Sequence, residues 1–170
     1  MERKNGVSMI ELVIVLIIII LITSFSIYTG NSALDQATAG EVYAEINSMR
    51  EAVNSINIKK TIHDDFEIVA GTHYDVKVED TMTQSEFEAR FGEAISEEEY
   101  RHTYIIYGMD MKEEYDNSHV KDFYGLDTIK HSYLVNFDEG KVDLLKSVKI
   151  SNRTVRTFEQ VRALVDEGDI

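Results

Sequence analysis

The amino-acid sequence predicts an α+β fold, in which a long N-terminal helix precedes a smaller region of mixed strands and short helices. Three observations support this prediction. Residues 12–22 are an unbroken run of Leu, Val and Ile. Residues 39–56 then repeat apolar side chains at helical spacing, and the rest of the chain mixes strand-like segments with helix-start signals.

Length and composition limit the classes of protein to consider. The chain has 170 residues, which suits one domain with an appendage. Its net charge is −14, from 31 acidic and 17 basic residues, which argues against binding nucleic acid because phosphate contacts need clustered Lys and Arg. Cysteine is absent, which excludes disulfides, thiolate metal sites and a cysteine nucleophile.

The apolar run extends in both directions and predicts a transmembrane helix at about residues 9–28. At 1.5 Å per residue this stretch would be roughly 30 Å long, which matches the hydrocarbon core of a bilayer. Arg3 and Lys4 precede it, and the next basic residue is Arg50. The positive-inside rule therefore predicts a single-pass membrane protein with a cytoplasmic N-terminus and an extracytoplasmic head.

Glu11 is the one acidic residue inside this stretch. A carboxylate at bilayer depth costs about 2.5 kcal/mol or more, so it is expected to have a partner. If the chain were cut after Gly6, the new α-amine of Val7 would lie one helical turn before Glu11. That amine could pair with Glu11 of its own chain or of a neighbour. The alternative is that Glu11 lies near the interface and reaches water.

The sequence KNGVSMIELVIVL at residues 4–16 resembles the cleavage and methylation signal of type IV prepilins. That resemblance implies that residues 1–6 are a leader, that a prepilin peptidase cuts between Gly6 and Val7, and that Val7 is N-methylated. It gives Glu11 the role of docking one subunit on another. The function that it implies is a structural subunit of a type IV pilus or a related pilus-like filament, displayed at the cell surface.

Several departures from that family leave the kind of filament open. The first mature residue would be Val7, where the family most often has Phe. Many major pilins have a helix-weakening Gly and Pro at the positions held here by Ile20 and Tyr28. A minor pilin, or a pseudopilin of a secretion or competence system, therefore stays a possibility beside a major pilin. Ser24 and Ser26 have the spacing of an ordinary signal-peptidase site, but Glu11 is unusual for a signal peptide.

The second half of the helix is predicted to be amphipathic. Its apolar stripe advances in steps of three and four residues, which places it on one helix face. The predicted helix covers residues 7–58 and ends near Asn57 to Lys60. The family resemblance implies that this half packs on a small antiparallel-sheet head formed by residues 59–170. The residues of the stripe are Ala39, Val42, Ile46, Met49, Val53 and Ile56.

Local patterns predict the elements of the head. Thr83 and Glu86 form a capping-box pattern before a short helix that ends at Gly92. Gly140 lies between the two halves of the best hairpin in the chain. Strands are predicted at 66–69, 74–78, 103–107, 132–137 and 141–150, and a last helix is predicted from Thr157 to near Gly168.

No catalytic motif, phosphate-binding loop or metal-ligand spacing appears, so we expect neither an enzyme nor a cofactor or metal site. His63 with Asp64 and Asp65, and the loop near Asp138 and Asp143, are the strongest metal candidates, and solvated turns explain both better. Asn152 begins a glycosylation acceptor pattern that we discount. Five tyrosines could form an adhesive surface, although core packing is the commoner role: Tyr100, Tyr104, Tyr107, Tyr115 and Tyr124.

Two other functions remain possible at the level of sequence. One is a binding module tethered by an ordinary membrane anchor, for which an intact leader would be diagnostic. The other is a surface enzyme, although the sequence contains no recognisable catalytic motif. The filament subunit implies other pilin subunits, prepilin peptidase, the inner-membrane assembly platform and the membrane as partners.

Overall fold

The structure is a computed structural model that describes residues 9–63 and 76–167. Within the first range, the side chains at positions 9–11, 25–32 and 60–63 lie outside the description. The cleavage residues Gly6 and Val7, the metal candidates Asp64 and Asp65, and the strand predicted at 66–69 also fall outside it.

Helix α1 runs from Met9 to His63. Leu, Ile and Val dominate its start, and polar side chains there bond within the helix. The hydroxyl of Thr23 donates to the carbonyl of Ile19 at 2.7 Å, and that of Ser24 donates to the carbonyl of Ile20 at 2.8 Å. Such back-bonding satisfies the hydroxyl donors of Ser and Thr within the helix itself.

The predicted transmembrane segment is wrong for the described part of the chain. None of the helices there combines the length and the apolar character that crossing a membrane requires. The run of purely aliphatic side chains, residues 12–22, makes only about 16 Å of helix, roughly half of a bilayer core. The prediction reached 30 Å by adding residues on both sides. Two further predictions depended on this transmembrane helix and are therefore also wrong: the single-pass membrane localisation, and the pilin-like fold class with a membrane-spanning first half.

Five antiparallel strands form one sheet in the order β1-β2-β3-β4-β5. Chain order and spatial order agree, so each strand lies beside its predecessor. Ile105, Leu134, Asp143 and Thr157 stand opposite one another across β2 to β5. The strands are β1 (Val76–Lys77), β2 (Thr103–Ile106), β3 (Tyr133–Asn136), β4 (Lys141–Ile150) and β5 (Arg153–Thr157).

Short helices fill the connections between these strands. Helix α3 begins with the predicted capping box, in which the hydroxyl of Thr83 accepts from the amide of Glu86 while the Glu86 carboxylate accepts from the amide of Thr83. It ends at Gly92, whose φ of 72° suits glycine. The helices are α2 (Val78–Thr81), α3 (Gln84–Phe91), α4 (Glu97–Arg101), α5 (Asn117–His119, continued by a π-turn at Val120–Tyr124) and α6 (Phe158–Glu167).

Both faces of the sheet are covered, and each has its own core. Every residue of β3 is buried, which is the pattern of a strand packed on two sides. On one face, Tyr133 and Val135 pack with the stripe of α1 and with α6. On the other face, Leu134 and Ile105 pack with Phe87 of α3. All six residues of the α1 stripe are at most 3% exposed.

Two head elements differ from their predictions. Of the strand predicted at 74–78, residues 74 and 75 lie outside the described residues, Val76–Lys77 forms β1, and Val78 already begins α2. Strand β5 was not predicted at all. Its Arg153–Thr157 sequence contains three β-branched residues, Thr154, Val155 and Thr157, which favour a strand, and it pairs with β4.

Candidate assembly surface

The most exposed apolar surface of the described chain is the start of α1. We call residues 12–22 the apolar segment. Every side chain in it is between 47% exposed, at Val13, and 63% exposed, at Leu21. Consecutive residues of a helix point in all directions, so these exposures describe an apolar cylinder of about three turns rather than one apolar face.

An apolar helix surface of this kind is normally covered. Helices that are hydrophobic all round occur buried in larger structures, and extended exposed apolar patches mark interaction sites. Thr23 and Ser24 extend this surface by about half a turn, because their hydroxyls bond to the backbone of α1 itself. A partner could therefore continue past Ile22 without meeting a polar group that needs solvation.

The residues predicted to control assembly lie beside this segment. Glu11 is on α1 directly before Leu12, and its side chain lies outside the description. Gly6 and Val7 are outside the described residues, so the cut after Gly6, the methylation of Val7 and the pairing of Val7 with Glu11 stay predictions. Ile20, where the prepilin resemblance would place a helix-weakening glycine, lies inside the apolar segment and is 54% exposed.

The same helix is held firmly by the head further along. From Ala39 onward its stripe is buried against the sheet and α6. The stacked rings of Tyr43 and Phe158 lie 5.6 Å apart, and the guanidinium of Arg50 lies 3.8 Å from the Phe158 ring centre. The described side chains thus divide α1 into an exposed apolar segment and a part bound to the head.

A carboxylate also joins α1 to the head. One oxygen of Glu45 accepts hydrogen bonds from the backbone amides of Lys130 and His131, each at 2.9 Å, and from the hydroxyl of Tyr133 at 2.7 Å. It also lies 3.3 Å from Nδ1 of His131. We call Glu45, Lys130, His131 and Tyr133 the Glu45 cluster. Through it, one helix side chain holds the segment that leads into β3.

Charge in this cluster follows from its geometry. Burial would raise the pKa of Glu45, but the hydrogen bonds from His131 and Tyr133 outweigh it and lower that pKa. The hydrogen bond to Glu45 raises the pKa of His131. Burial and the nearby Glu45 carboxylate raise the pKa of Tyr133. Lys130 adds an exposed ion pair with Glu41, one turn earlier on α1. The arrangement favours an anionic Glu45 facing a cationic His131.

Sequence reasoning missed the role of Glu45 because it lies off the apolar stripe. The available signal was its position directly before Ile46, at the border of the buried face, where a carboxylate can reach the layer that packs on the helix. Nothing in the sequence indicated which backbone amides it would meet.

The other sequence candidates have structural roles. Tyr100, Tyr104 and Tyr124 are between 5% and 8% exposed, so they belong to the core rather than to an adhesive surface. Asp143 lies beside Lys141, and Asp138 pairs with His102. Across the described residues, no group of three or more potential ligands is arranged to hold a metal ion.

Comparison with family models, with curated proteins and with solved structures finds no match for this chain.

Proposed function

We propose that this protein is a structural subunit that assembles with copies of itself through the apolar segment of α1, as the subunit of a type IV pilus or a related pilus-like filament. The single observation that carries the proposal is the exposure of all eleven aliphatic side chains at residues 12–22, on every side of the helix. The prepilin-like sequence at residues 4–16, which runs into this segment, also supports it.

The shape of this surface favours a filament over a dimer. A two-fold dimer would cover one side of the helix and leave the other sides in water. Helices surrounded by several neighbours cover the whole cylinder, and a repeated head-to-tail contact that does not close extends without limit. Burying one Leu or Ile side chain stabilises a contact by about 1.5–3 kcal/mol. Even partial burial of the segment would therefore contribute a large free energy of association.

The proposal includes processing of the N-terminus. A prepilin peptidase would cut after Gly6, and the new amine at Val7 would pair with Glu11 of a neighbouring subunit. Such pairing neutralises two charges only when subunits dock in the right register. It would therefore specify one register among those that apolar contacts alone would allow. Other subunits, the peptidase and the assembly platform are the proposed partners.

The test expresses the full chain in its natural host, where the proposed peptidase can cut it, and compares its assembly with that of two matched variants. Ile17→Asp places a charge in the middle of the apolar segment. Leu34→Asp makes a similar apolar-to-acidic change on α1 outside it, at a side chain that is 67% exposed. Sedimentation velocity gives the assembled fraction, and electron microscopy distinguishes filaments of constant diameter from amorphous aggregate.

We expect wild type and Leu34→Asp to form filaments and Ile17→Asp to remain as single subunits. Equal assembly of the two variants, or only amorphous aggregate from wild type, would show that the segment is not a filament contact. Mass spectrometry of the protein from its natural host should give Val7 as the first residue. Loss of assembly in Glu11→Ala tests the docking role.

A further inference from the structure

The hairpin formed by β4 and β5 concentrates positive charge on a chain that is acidic as a whole. Residues 144–158 contain four basic side chains and no acidic one, whereas the net charge of the whole chain is −14. Lys146, Lys149 and Arg153 are exposed, and we call these three residues the basic hairpin. A surface of this sign attracts an acidic partner and repels a cationic one.

One face of this hairpin packs on α1, and the other face is open. Val148, Ile150 and Val155 belong to the core on the α1 side. Lys149 lies between Val148 and Ile150 on β4 and stands opposite Thr154 on β5, so Lys149 and Thr154 point to the other face. Both are exposed, although α2 to α4 cover this face further along β4. The hairpin thus presents a positively charged sheet face that the described part of the chain leaves uncovered.

The opposite end of the sheet is acidic. Strand register brings Thr103 of β2, Asn136 of β3 and Lys141 of β4 together there. Helix α4 precedes β2 and the β3–β4 turn follows β3, so both lie at this end. Together with the loop before α4 they carry six carboxylates, which we call the acidic end: Glu93, Glu97, Glu98, Glu99, Asp138 and Glu139.

Neighbouring cations neutralise only part of the acidic end. Arg101 pairs with Glu97 at 2.6 Å, and the ammonium of Lys141 lies 3.5 Å from each of two other carboxylates. Lys59 lies at the nearby end of α1. Even with His102 protonated as a fourth cation, the carboxylates are in excess.

The two charged surfaces lie at opposite ends of β4, and α1 gives them a direction. The ten residues of β4 span roughly 30 Å. The side-chain amide of Asn57 donates to the carbonyl of Asp138 at the acidic end. Glu45, which is nearer to the apolar segment on α1, meets Tyr133 at the other end of β3. The basic hairpin therefore lies toward the apolar segment, and the acidic end lies away from it.

We propose that the basic hairpin of one copy of this protein docks on the acidic end of the next copy, with Lys149 and Arg153 facing Glu98 and Glu139. The chain itself supplies the complementary surface, at the end where a second copy would meet it. This contact rests on the proposed assembly through the apolar segment, because parallel helices staggered along one axis bring the hairpin end of one head over the acidic end of another.

The division of roles follows from the size of each term. Exposed ion pairs contribute little affinity, so the apolar segment holds the subunits together and the charges set the order of the heads. Unlike ends meet in this contact, so it does not close on itself and repeats along a filament.

Covalent trapping tests this contact, since the chain contains no cysteine and only introduced thiols react. Asn152→Cys places a thiol at the hairpin turn, and Glu139→Cys places one in the β3–β4 turn. The full chain with both changes is expressed in its natural host and treated with a bismaleimide whose reach is well below the length of β4, so that the two thiols of one chain cannot be joined.

We expect the double variant to give a ladder of covalent dimers, trimers and longer products, and each single variant to stay monomeric. No ladder, or dimers from a single variant, overturns the proposed contact, because the unlike ends then do not meet. Electron microscopy of the same preparation separates the two proposals: filaments without a ladder reject this contact alone, and the absence of both rejects the filament as well.

Charge reversal in the double-cysteine background identifies the partners. Lys149→Glu should lower the yield of the ladder by about fivefold, the upper range for one exposed pair, and adding Glu98→Lys should restore it. Arg162→Glu on α6 makes the same change of charge at a side chain that pairs with Asp166, and it should leave the yield unchanged. Equal losses in Lys149→Glu and Arg162→Glu, or no recovery with Glu98→Lys, contradict docking on the acidic end.

Discussion

The hydroxyl of Tyr133 donates a hydrogen bond of 2.7 Å to the carboxylate of Glu45, and this bond joins the middle strand of the sheet to the helix that crosses it. Tyr133 is fully buried, at 0% exposure, so its hydroxyl is sheltered from water. The same carboxylate oxygen serves two backbone amides before β3. Loss of Glu45 would therefore leave several donors without an acceptor in a partly buried place.

Tyr133→Phe should lower the free energy of unfolding by about 1.5–3 kcal/mol, the range for a hydrogen bond to a charged group. The change removes one hydroxyl and leaves the ring in its packing, so the loss reports the bond. Urea unfolding followed by circular dichroism measures it. Tyr115→Phe is the matched control: that hydroxyl donates to Asn117 in an exposed place, and its loss should change stability by less than about 0.5 kcal/mol. Equal effects of the two changes would mean that the buried hydrogen bond contributes no more to the free energy of unfolding than the exposed one does.

Stability should fall as pH rises above about 6.5, the ordinary pKa of histidine. The pKa of His131 is raised in the folded protein by its hydrogen bond to Glu45, with Asp110 and Glu41 adding in the same direction. Its contribution is therefore complete below the unfolded pKa and is lost as pH rises through the folded one. The pKa of Glu45 is lowered, so its contribution is lost only as pH falls below about 4.5. The cluster stabilises the fold most between these two limits.

Unfolding measured from pH 5 to pH 9 checks this slope. His131→Gln removes the titrating ring, and Glu45→Gln removes the carboxylate that raises its pKa, so both should flatten the decline above pH 6.5. Persistence of the full decline in both variants would assign it to other groups.

The parts of this fold that the sequence predicted are the local ones. The stripe from Ala39 to Ile56 follows from the helical repeat alone, and the structure buries it. The capping box of Thr83 and Glu86 needs only four consecutive residues, and it is present. The hairpin around Gly140 is confirmed as the pairing of β3 with β4, because turn residues and flanking alternation are contiguous in the chain.

What the sequence did not predict depends on distant partners or on length. Strand β5 has three β-branched residues that favour a strand, but it is only five residues long, and its place in the sheet depends on its pairing with β4. The hydrogen-bond donors to Glu45 lie 85 to 88 residues away in the chain. The contact of Arg156 on β5 with the carbonyl of Phe91 at the end of α3 joins residues 65 positions apart. The transmembrane prediction failed because flanking mixed residues were counted with a shorter aliphatic run.

Ile46→Ala should cost about 2–5 kcal/mol of unfolding free energy, because Ile46 is 0% exposed at the centre of the α1 stripe. Ile58→Ala makes the same change on the same helix at a side chain that is 63% exposed, so helix propensity changes equally and the cost should stay within about 0.5 kcal/mol. Urea unfolding of both gives the difference that packing on the head contributes. Similar losses would mean that the stripe is not packed as described.

Gly108→Ala should destabilise the protein by more than about 2 kcal/mol, although its φ of −103° suits any residue. An added Cβ would lie closer than 3.0 Å to the backbone carbonyl of His131. The backbone at His131 cannot give way easily, since the amide of Gly108 donates to the buried hydroxyl of Ser132 at 2.9 Å and His131 belongs to the Glu45 cluster. Gly40→Ala is the contrasting change: Gly40 is exposed on α1 with nothing within 4 Å of the new Cβ, so stability should rise by about 0.5–1 kcal/mol. Thermal unfolding of the two variants should therefore shift in opposite directions, and a rise for both would show that the backbone at His131 yields to the added methyl group.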